Sequence, residues 1–367
     1  DFCLSRGLGD VYKRQAILAS CSNDETTNSR EVIVPKSDVA VSLGAESNIA
    51  IEQTRAVVDK WAETPIYVWG LDKAEGADWT TTTSNLFSPA SYVPGIVTNT
   101  TDNNGTVKLG NDGDLYFYPL SSDVNFSFYA CSPAPTNPPS KAPNSVTVSY
   151  EVTGNKDILW GEAIAEDITV GNETYSGYNA RYFRKEGRKP ILKFEHKLTQ
   201  LIFKGIKGDD SNTAAGDVKE VQIKNITVTT NKWVTLTVAG NKKGTLSASN
   251  NETGEVPAYF GDETYATHGN VTLTSAGAEA GITMLLPAET GSYTANVTLD
   301  AIIDGTPQTQ PAQIVPITFK DKSGNVLPFE AGKAYTVNLK VFGLRVVALD
   351  ATLAPWENGG TIDQEVN

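Results

Sequence analysis

The sequence predicts an all-β protein arranged as two tandem β-sandwich domains. Three observations carry this. Short runs of β-branched and aromatic residues recur along the body, clusters of Gly, Asn, Asp and Pro separate them, and helical periodicity shows only weakly, near residues 47–60. The chain of 367 residues has length for about two domains. Its composition, 40% hydrophobic and 20% charged, is that of an ordinary folded protein.

The first strand is read from alternation: Val39, Val41, Leu43 and Ala45 interleave with Ala40, Ser42 and Gly44, giving one apolar face. The stretches "PIYVWGL" (65–71), "DLYFYPL" (114–120) and "VNFSFYAC" (124–131) come next, separated by the turn-forming "TDNNG" (101–105) and "GNDGD" (110–114), with "PAPTNPP" (133–139) after them. The polar, basic stretch "RYFRKEGRKP" (181–190) is the expected domain boundary, and "ILKFEHKLTQLIFKGI" opens a new apolar segment. Beyond it lie "VQIKNITVTT", "WVTLTVAG", "NVTLTS", "ITMLLP", "YTANVTLDAIID", "VPITF" and "AYTVNLKVFGL". The expected organisation is a leader (1–20), a lipidated tether (21–37), one sandwich (38–188) and a second (189–367).

The leader is expected to be the remnant of an export signal. Lys13-Arg14 supply the basic end, yet only Ala16 to Ala19 separate Gln15 from Ser20, where a secretory signal needs about 7–15 apolar residues. Residues 1 to about 15 are expected to be foreign, because "CLSRGLGDVYKRQ" resembles translated sequencing adapter. The segment Leu18-Ala19-Ser20-Cys21 resembles a bacterial lipobox, so Cys21 is the expected lipidation site. Several acyl chains on one cysteine make a firm anchor, each buried methylene adding ~0.8 kcal/mol. The acidic Asp24-Glu25 just after it resembles the surface-export signal of lipoproteins in Bacteroidetes.

Charge and motifs exclude several classes. A net charge of −13 repels phosphate backbones, so no nucleic-acid partner is expected. The cysteines are Cys3, Cys21 and Cys131; with the first in the leader and the second acylated, no internal disulfide is expected. His196 and His268 are the only histidines, and no Cys/His spacing suits zinc. The segment 209–220 begins like a calcium loop but has Ala214 where the turn requires Gly. No metal and no cofactor are expected. Neither a G-x-S-x-G elbow, a Walker loop nor a G-x-G-x-x-G fingerprint occurs. Asp157 and Glu162 bracket Trp160, a grouping found in some glycosidases, but the sequence gives no separation for the pair, and no enzyme is expected. Trp61, Trp69, Trp79, Trp160, Trp233 and Trp356 are either core residues or platforms for a glycan. Asn-x-Ser/Thr triplets, as at Asn125, Asn225 and Asn296, arise from Asn/Thr-rich strands.

Four stretches in order, "YFYPLSSDVNFSFYACSP" (116–133), "KDILWG" (156–161), "LKFEHKLTQLIFK" (192–204) and "FEAGKAYTVNLKVFGL" with "LAPWENGG" towards the C terminus, resemble the fimbrillin family, the pilin subunits of Bacteroidales. The segment "WAETPIYVWGLD" departs from the family's usual wording and leaves the subfamily open. No catalytic residue is expected, and the resemblance implies two transthyretin-like sandwiches and assembly by strand exchange. It implies a lipoprotein precursor on the outer membrane surface, held by lipid through Cys21 and cut by a trypsin-like surface protease. The matching cleavage site is Arg55, in "EQTRAVV"; Arg30 is the competing one. Val39, Val41, Leu43 and Ala45 would form the displaced strand.

The donor is expected at the other end, where Val347, Leu349, Ala351 and Leu353 alternate as the first strand does. Inserting three or four apolar side chains buries ~300–400 Å², worth ~8–10 kcal/mol before ordering costs. Expected partners are other copies of the chain, other fimbrial subunits, and a host or bacterial surface receptor. The expected function is building fimbriae for adhesion and biofilm. The alternatives are a lipid-anchored glycan-binding sandwich, or an anchor or tip subunit of the same fimbria.

Overall fold

The computed structural model describes residues 36–47, 61, 63–72, 86–87, 92–99, 104–110, 114–120, 125–164, 167–170, 172–175, 177–186, 189–208, 218–250, 252–349 and 351–354. Cys21, Arg30, Arg55, Trp79, Trp356, residues 209–217 of the calcium-like stretch, and the leader and tether up to residue 35 lie outside them. The chain is all-β, as predicted.

The first group of elements comprises β1 (Lys36–Ala40), β2 (Leu43–Ser47), β3 (Thr64–Asp72), β4 (Val93–Asn99), β5 (Asn104–Leu109), β6 (Phe117–Pro119), β7 (Phe126–Ser132), β8 (Ser140–Ala142), β9 (Ser145–Glu151), β10 (Leu159–Ala163), β11 (Ile168–Val170), β12 (Glu173–Tyr175), helix α1 (Ala180–Glu186) and β13 (Ile191–His196). Seven of these strands close into a barrel in the order β10-β13-β2-β5-β4-β3-β7. Alternation gives the closed wall one apolar interior, filled by Leu43, Ala45, Ile66, Val68, Val97, Val107, Phe128, Leu192 and Phe194.

The remaining elements are β14 (Thr199–Lys207), β15 (Val218–Asn231), β16 (Trp233–Gly240), β17 (Leu246–Ala248), β18 (Thr253–Pro257), β19 (Tyr259–Phe260), β20 (Glu263–Thr264), α2 (Tyr265–His268), β21 (Val271–Thr272), β22 (Ala278–Leu285), β23 (Ser292–Ile303), β24 (Thr306–Thr309), β25 (Gln313–Lys320), β26 (Val326–Leu327), β27 (Ala334–Phe342), β28 (Arg345–Ala348) and β29 (Thr352–Ala354). One sheet runs β20-β19-β22-β14-β27-β28, with β29 also on β27, and another runs β18-β15-β23-β25-β26. They enclose a second hydrophobic cluster, with Phe203, Val228, Met284, Val297, Phe329 and Tyr335 among its members. A four-stranded sheet, β17-β16-β9-β8, adds Val148, Tyr150, Val234 and Leu236 to the same cluster.

Strand β7 shows why the aromatic run "FSFYACS" is apolar throughout. Every residue in it is buried. Phe126, Phe128 and Ala130 point into the barrel, while Tyr129 and Cys131 point into the second cluster. A strand covered on both faces loses the polar half of its alternation.

Sheet pairing does not change at residue 189. Strand β13 lies in the barrel, antiparallel to β10 and parallel to β2. Strand β9 pairs with β16 across more than eighty residues of sequence. The basic stretch expected as the domain boundary overlaps helix α1, whose Arg184 pairs with Asp38 of β1.

Candidate strand-exchange site

The segment read as a removable strand falls into two parts, of which only the second lies in the barrel wall. β1 lies on β6 with an irregular register, Lys36 opposite Pro119 and Ala40 opposite Phe117. Val39 and Val41 are buried, and the Val41 amide donates to the Tyr116 carbonyl at 2.7 Å. β2 then enters the barrel wall. It runs antiparallel to β5, with Leu43 opposite Val107 and Ala45 opposite Gly105, and parallel to β13, with Ala45 beside Leu192. Leu43 and Ala45 are 0% and 1% exposed. Taking β2 out would leave two strand edges with unpaired backbone groups around an apolar slot.

The slot is shaped by residues whose role the sequence does not announce. Gly105, read only as part of a turn, faces the barrel interior. A Cβ there would lie 2.3 Å from Val97 Cγ1 and 3.2 Å from Trp61 Cδ1, so only glycine fits. Trp61 packs edge-on against Phe194, ring centroids 5.1 Å apart. Phe194 in turn needs Gly161 across from it, where a Cβ would lie 2.8 Å from its ring. Small residues thus make room for two large rings around the place that β2 fills.

Upstream of β2, an ion pair joins β1 to α1. The Arg184 guanidinium holds the Asp38 carboxyl below its ordinary value of 3.8. A depressed carboxylate pKa means that the contact is complete above that value and is lost as the pH falls through the lowered pKa. Both side chains are well exposed, so the pair steadies β1 locally and adds little to global stability. We expect Asp38→Asn to speed hydrogen exchange at the Val39 and Val41 amides several-fold with overall unfolding unchanged. Unaltered exchange would show that the pair does not hold β1.

The C-terminal segment behaves differently from the sequence expectation of one shared face. β28 pairs with β27, Val347 opposite Lys340 and Ala348 opposite Leu339, and β29 pairs with the same strand, Thr352 opposite Thr336 and Leu353 opposite Tyr335. Between Ala348 and Thr352 the tail advances one residue more than β27 does between Leu339 and Thr336. This bulge turns the alternation over. Val347 and Leu349 stand on the outer face, the Leu349 amide donating to the Asn338 carbonyl. Ala351 is 2% exposed, and its amide donates to Thr318 of β25. Leu349 and Leu353 remain 44% and 52% exposed, two large apolar side chains left in water. The Gln313 side chain clamps the start of the segment, donating to the Leu344 carbonyl at 2.5 Å and accepting from the Val346 amide at 2.9 Å.

The grouping of Asp157, Trp160 and Glu162 is structural. Trp160 is buried and donates from Nε1 to the Val238 carbonyl at 2.9 Å. Asp157 pairs with His196, and Glu162 with Lys243 at 2.7 Å. Trp61 and Trp69 are buried too, while Trp233 is half-buried. Core packing therefore accounts for three of the four described tryptophans. His268 is exposed and stacks on Phe260, centroids 3.7 Å apart. Among the described residues no group of three or more His, Cys, Asp or Glu is placed to hold a metal ion.

A family profile described as fimbrillin-like matches residues 54–356. The chain belongs to the fimbrillin-like family. Solved structures similar to this fimbrillin-like chain include a candidate cell adhesion protein from Bacteroides uniformis, with 15% identity, a TM-score of 0.47, and coverage of 87% of this chain and 98% of that one. A fimbrial protein from Bacteroides vulgatus matches with 14% identity and a TM-score of 0.43, over 86% of this chain and 99% of that one. A candidate cell adhesion protein from Bacteroides ovatus matches with 17% identity and a TM-score of 0.43, over 87% and 98% respectively. No curated protein matches the fimbrillin-like chain. Its Cys131 is free and buried, and burial pushes the thiol up to about 12, which makes it a packing residue rather than a nucleophile.

Proposed function

We propose that the chain is a pilin subunit that polymerises by exchanging its N-terminal strand for a strand of a neighbouring copy. The observation that carries this reading is the seat of β2. A short strand near the N-terminal end of the described chain occupies a closed, apolar slot between β13 and β5, with Leu43 and Ala45 wholly buried. Loss of such a strand opens a barrel along two edges at once, and strand addition is the recognition mode that closes it again.

In this reading the chain reaches the outer surface as a lipoprotein acylated at Cys21, and a trypsin-like protease cuts after Arg55 to free β1 and β2. Cleavage at Arg30 would release the lipid without opening the slot. The donor is the C-terminal segment from Val347 to Leu353, whose exposed Leu349 and Leu353 support a segment not yet at its best-packed position. The product is a surface appendage of like subunits and other fimbrial subunits, serving adhesion through a surface receptor. Burial of Trp61, Trp69 and Trp160 counts against the glycan-binding alternative.

Limited trypsin digestion tests the proposal. Cleavage after Arg55 is expected to yield a ladder of oligomers that survives dilution, because a strand inserted along its whole length leaves very slowly. A digest cut at that site that contains only monomers would overturn it.

A further inference from the structure

We infer that the incoming tail seats with Val347, Leu349 and Ala351 in the places of Val41, Leu43 and Ala45, two residues out of step with a four-for-four match of the two strands. The inference rests on the strand-exchange reading above and adds which side chain enters which pocket. Matching Val39, Val41, Leu43 and Ala45 in order with Val347, Leu349, Ala351 and Leu353 puts Leu353 where Ala45 sits. That place faces a tightly packed wall. Gly105 lies directly opposite, and the space a Cβ on it would need is already taken by Val97 Cγ1 at 2.3 Å and Trp61 Cδ1 at 3.2 Å, with the Ala45 Cβ itself at 3.4 Å. The same match would leave Ala351 in the deep Leu43 position, so the strand would be overpacked at one pocket and empty at the next.

A shift of two residues keeps the same side chains facing inward and aligns Val-x-Leu-x-Ala with Val-x-Leu-x-Ala, residues 347–351 upon 41–45. Asp350 then takes the place of Gly44. A Cβ at Gly44 meets Ile191 Cγ1 at 3.5 Å, the Gly105 carbonyl oxygen at 3.7 Å and Lys189 Cε at 3.8 Å, all ordinary contacts. An outward side chain is therefore accommodated, and an acidic one lies beside a lysine. A shift the other way would bring Pro355 to the Ala45 position, where it has no N–H for the ladder. The slot thus selects its partner by one small side chain: strands with alanine, glycine or serine two residues after the leucine fit, and bulkier ones do not.

The register is read out by cross-linking the full chain after cleavage. Thr352 would replace Glu46, opposite Asn104, in the inferred register, and Gly44, opposite Thr106, in the four-for-four match. The Gly44 amide donates to Pro190 of the β13 side, so these facing pairs do not exchange ladder bonds and approach closely enough for a disulfide. The double variant Thr352→Cys/Asn104→Cys is expected to give a covalent ladder on oxidation, at least about tenfold more abundant than Thr352→Cys/Thr106→Cys gives. A ladder through residue 106 instead, or polymers with neither cross-link, overturns the register while leaving strand exchange standing. Failure of the cleaved wild-type chain to polymerise overturns both. Leu353 is exposed in the monomer, so Leu353→Ala checks the pocket without risk to folding. Polymer yield is expected to stay within about threefold, whereas a gain of about tenfold, from relief of a clash at Gly105, would contradict the inference.

Discussion

Leu349→Asp is expected to abolish polymer formation while leaving the subunit folded. In the monomer Leu349, just after β28, is 44% exposed, so an aspartate there remains solvated and stability should change by no more than about 0.5 kcal/mol. In the slot the same side chain would replace a residue of the N-terminal segment that is buried, Leu43 at 0% exposure. An unpaired carboxylate there costs several kcal/mol, a large part of the ~8–10 kcal/mol that the whole inserted strand gains from apolar burial. Sedimentation of the protease-treated variant reads polymer formation, and denaturant unfolding of the uncleaved variant reads the fold. Polymers of unaltered length would remove the C-terminal segment from the donor role.

The second large effect falls on the acceptor. Gly105→Ala places a methyl group 2.3 Å from Val97 Cγ1 inside a closed barrel, and overpacking of this kind costs about 1–3 kcal/mol. Val97→Ala removes the obstructing methyl groups, so the double variant Val97→Ala/Gly105→Ala should be destabilised by less than the sum of the two single changes. The coupling should be at least about 1 kcal/mol, since the two residues are in contact. Denaturant midpoints of the four proteins measure it. Additive losses would show that Gly105 is not held small by Val97, and would remove the physical basis for a small side chain at the Ala45 position.

Side-chain periodicity makes much of this architecture legible in the sequence. The alternation at Val39, Val41, Leu43 and Ala45 corresponds to four buried residues, and "ILKFEH" corresponds to a strand with Leu192, Phe194 and His196 buried. Period-two patterns survive where a strand buries only one of its faces. The features that escape the sequence depend on neighbours distant in the chain. Gly105 sits in a turn-like pentapeptide, and its need for glycine arises only from Val97 and Trp61. The bulge between Ala348 and Thr352 inverts the tail's alternation without any local sign, since it is set by how β27 and β25 each capture a part of the segment. Nor does composition reveal that β9 pairs with β16, or that a basic Gly- and Pro-containing stretch holds helix α1 against β1 through Arg184 and Asp38. Periodicity reports which side of a strand is buried; it does not report which sheet receives the strand.

Electron microscopy of the chain after cleavage at Arg55, at a resolution that traces strands, bears most directly on whether the slot of β2 is filled from outside. The account predicts filaments in which a strand of the neighbouring subunit lies between β13 and β5, parallel to the first and antiparallel to the second. Filaments in which residues 43–47 still occupy their own barrel, or cleaved subunits that remain single, would contradict it.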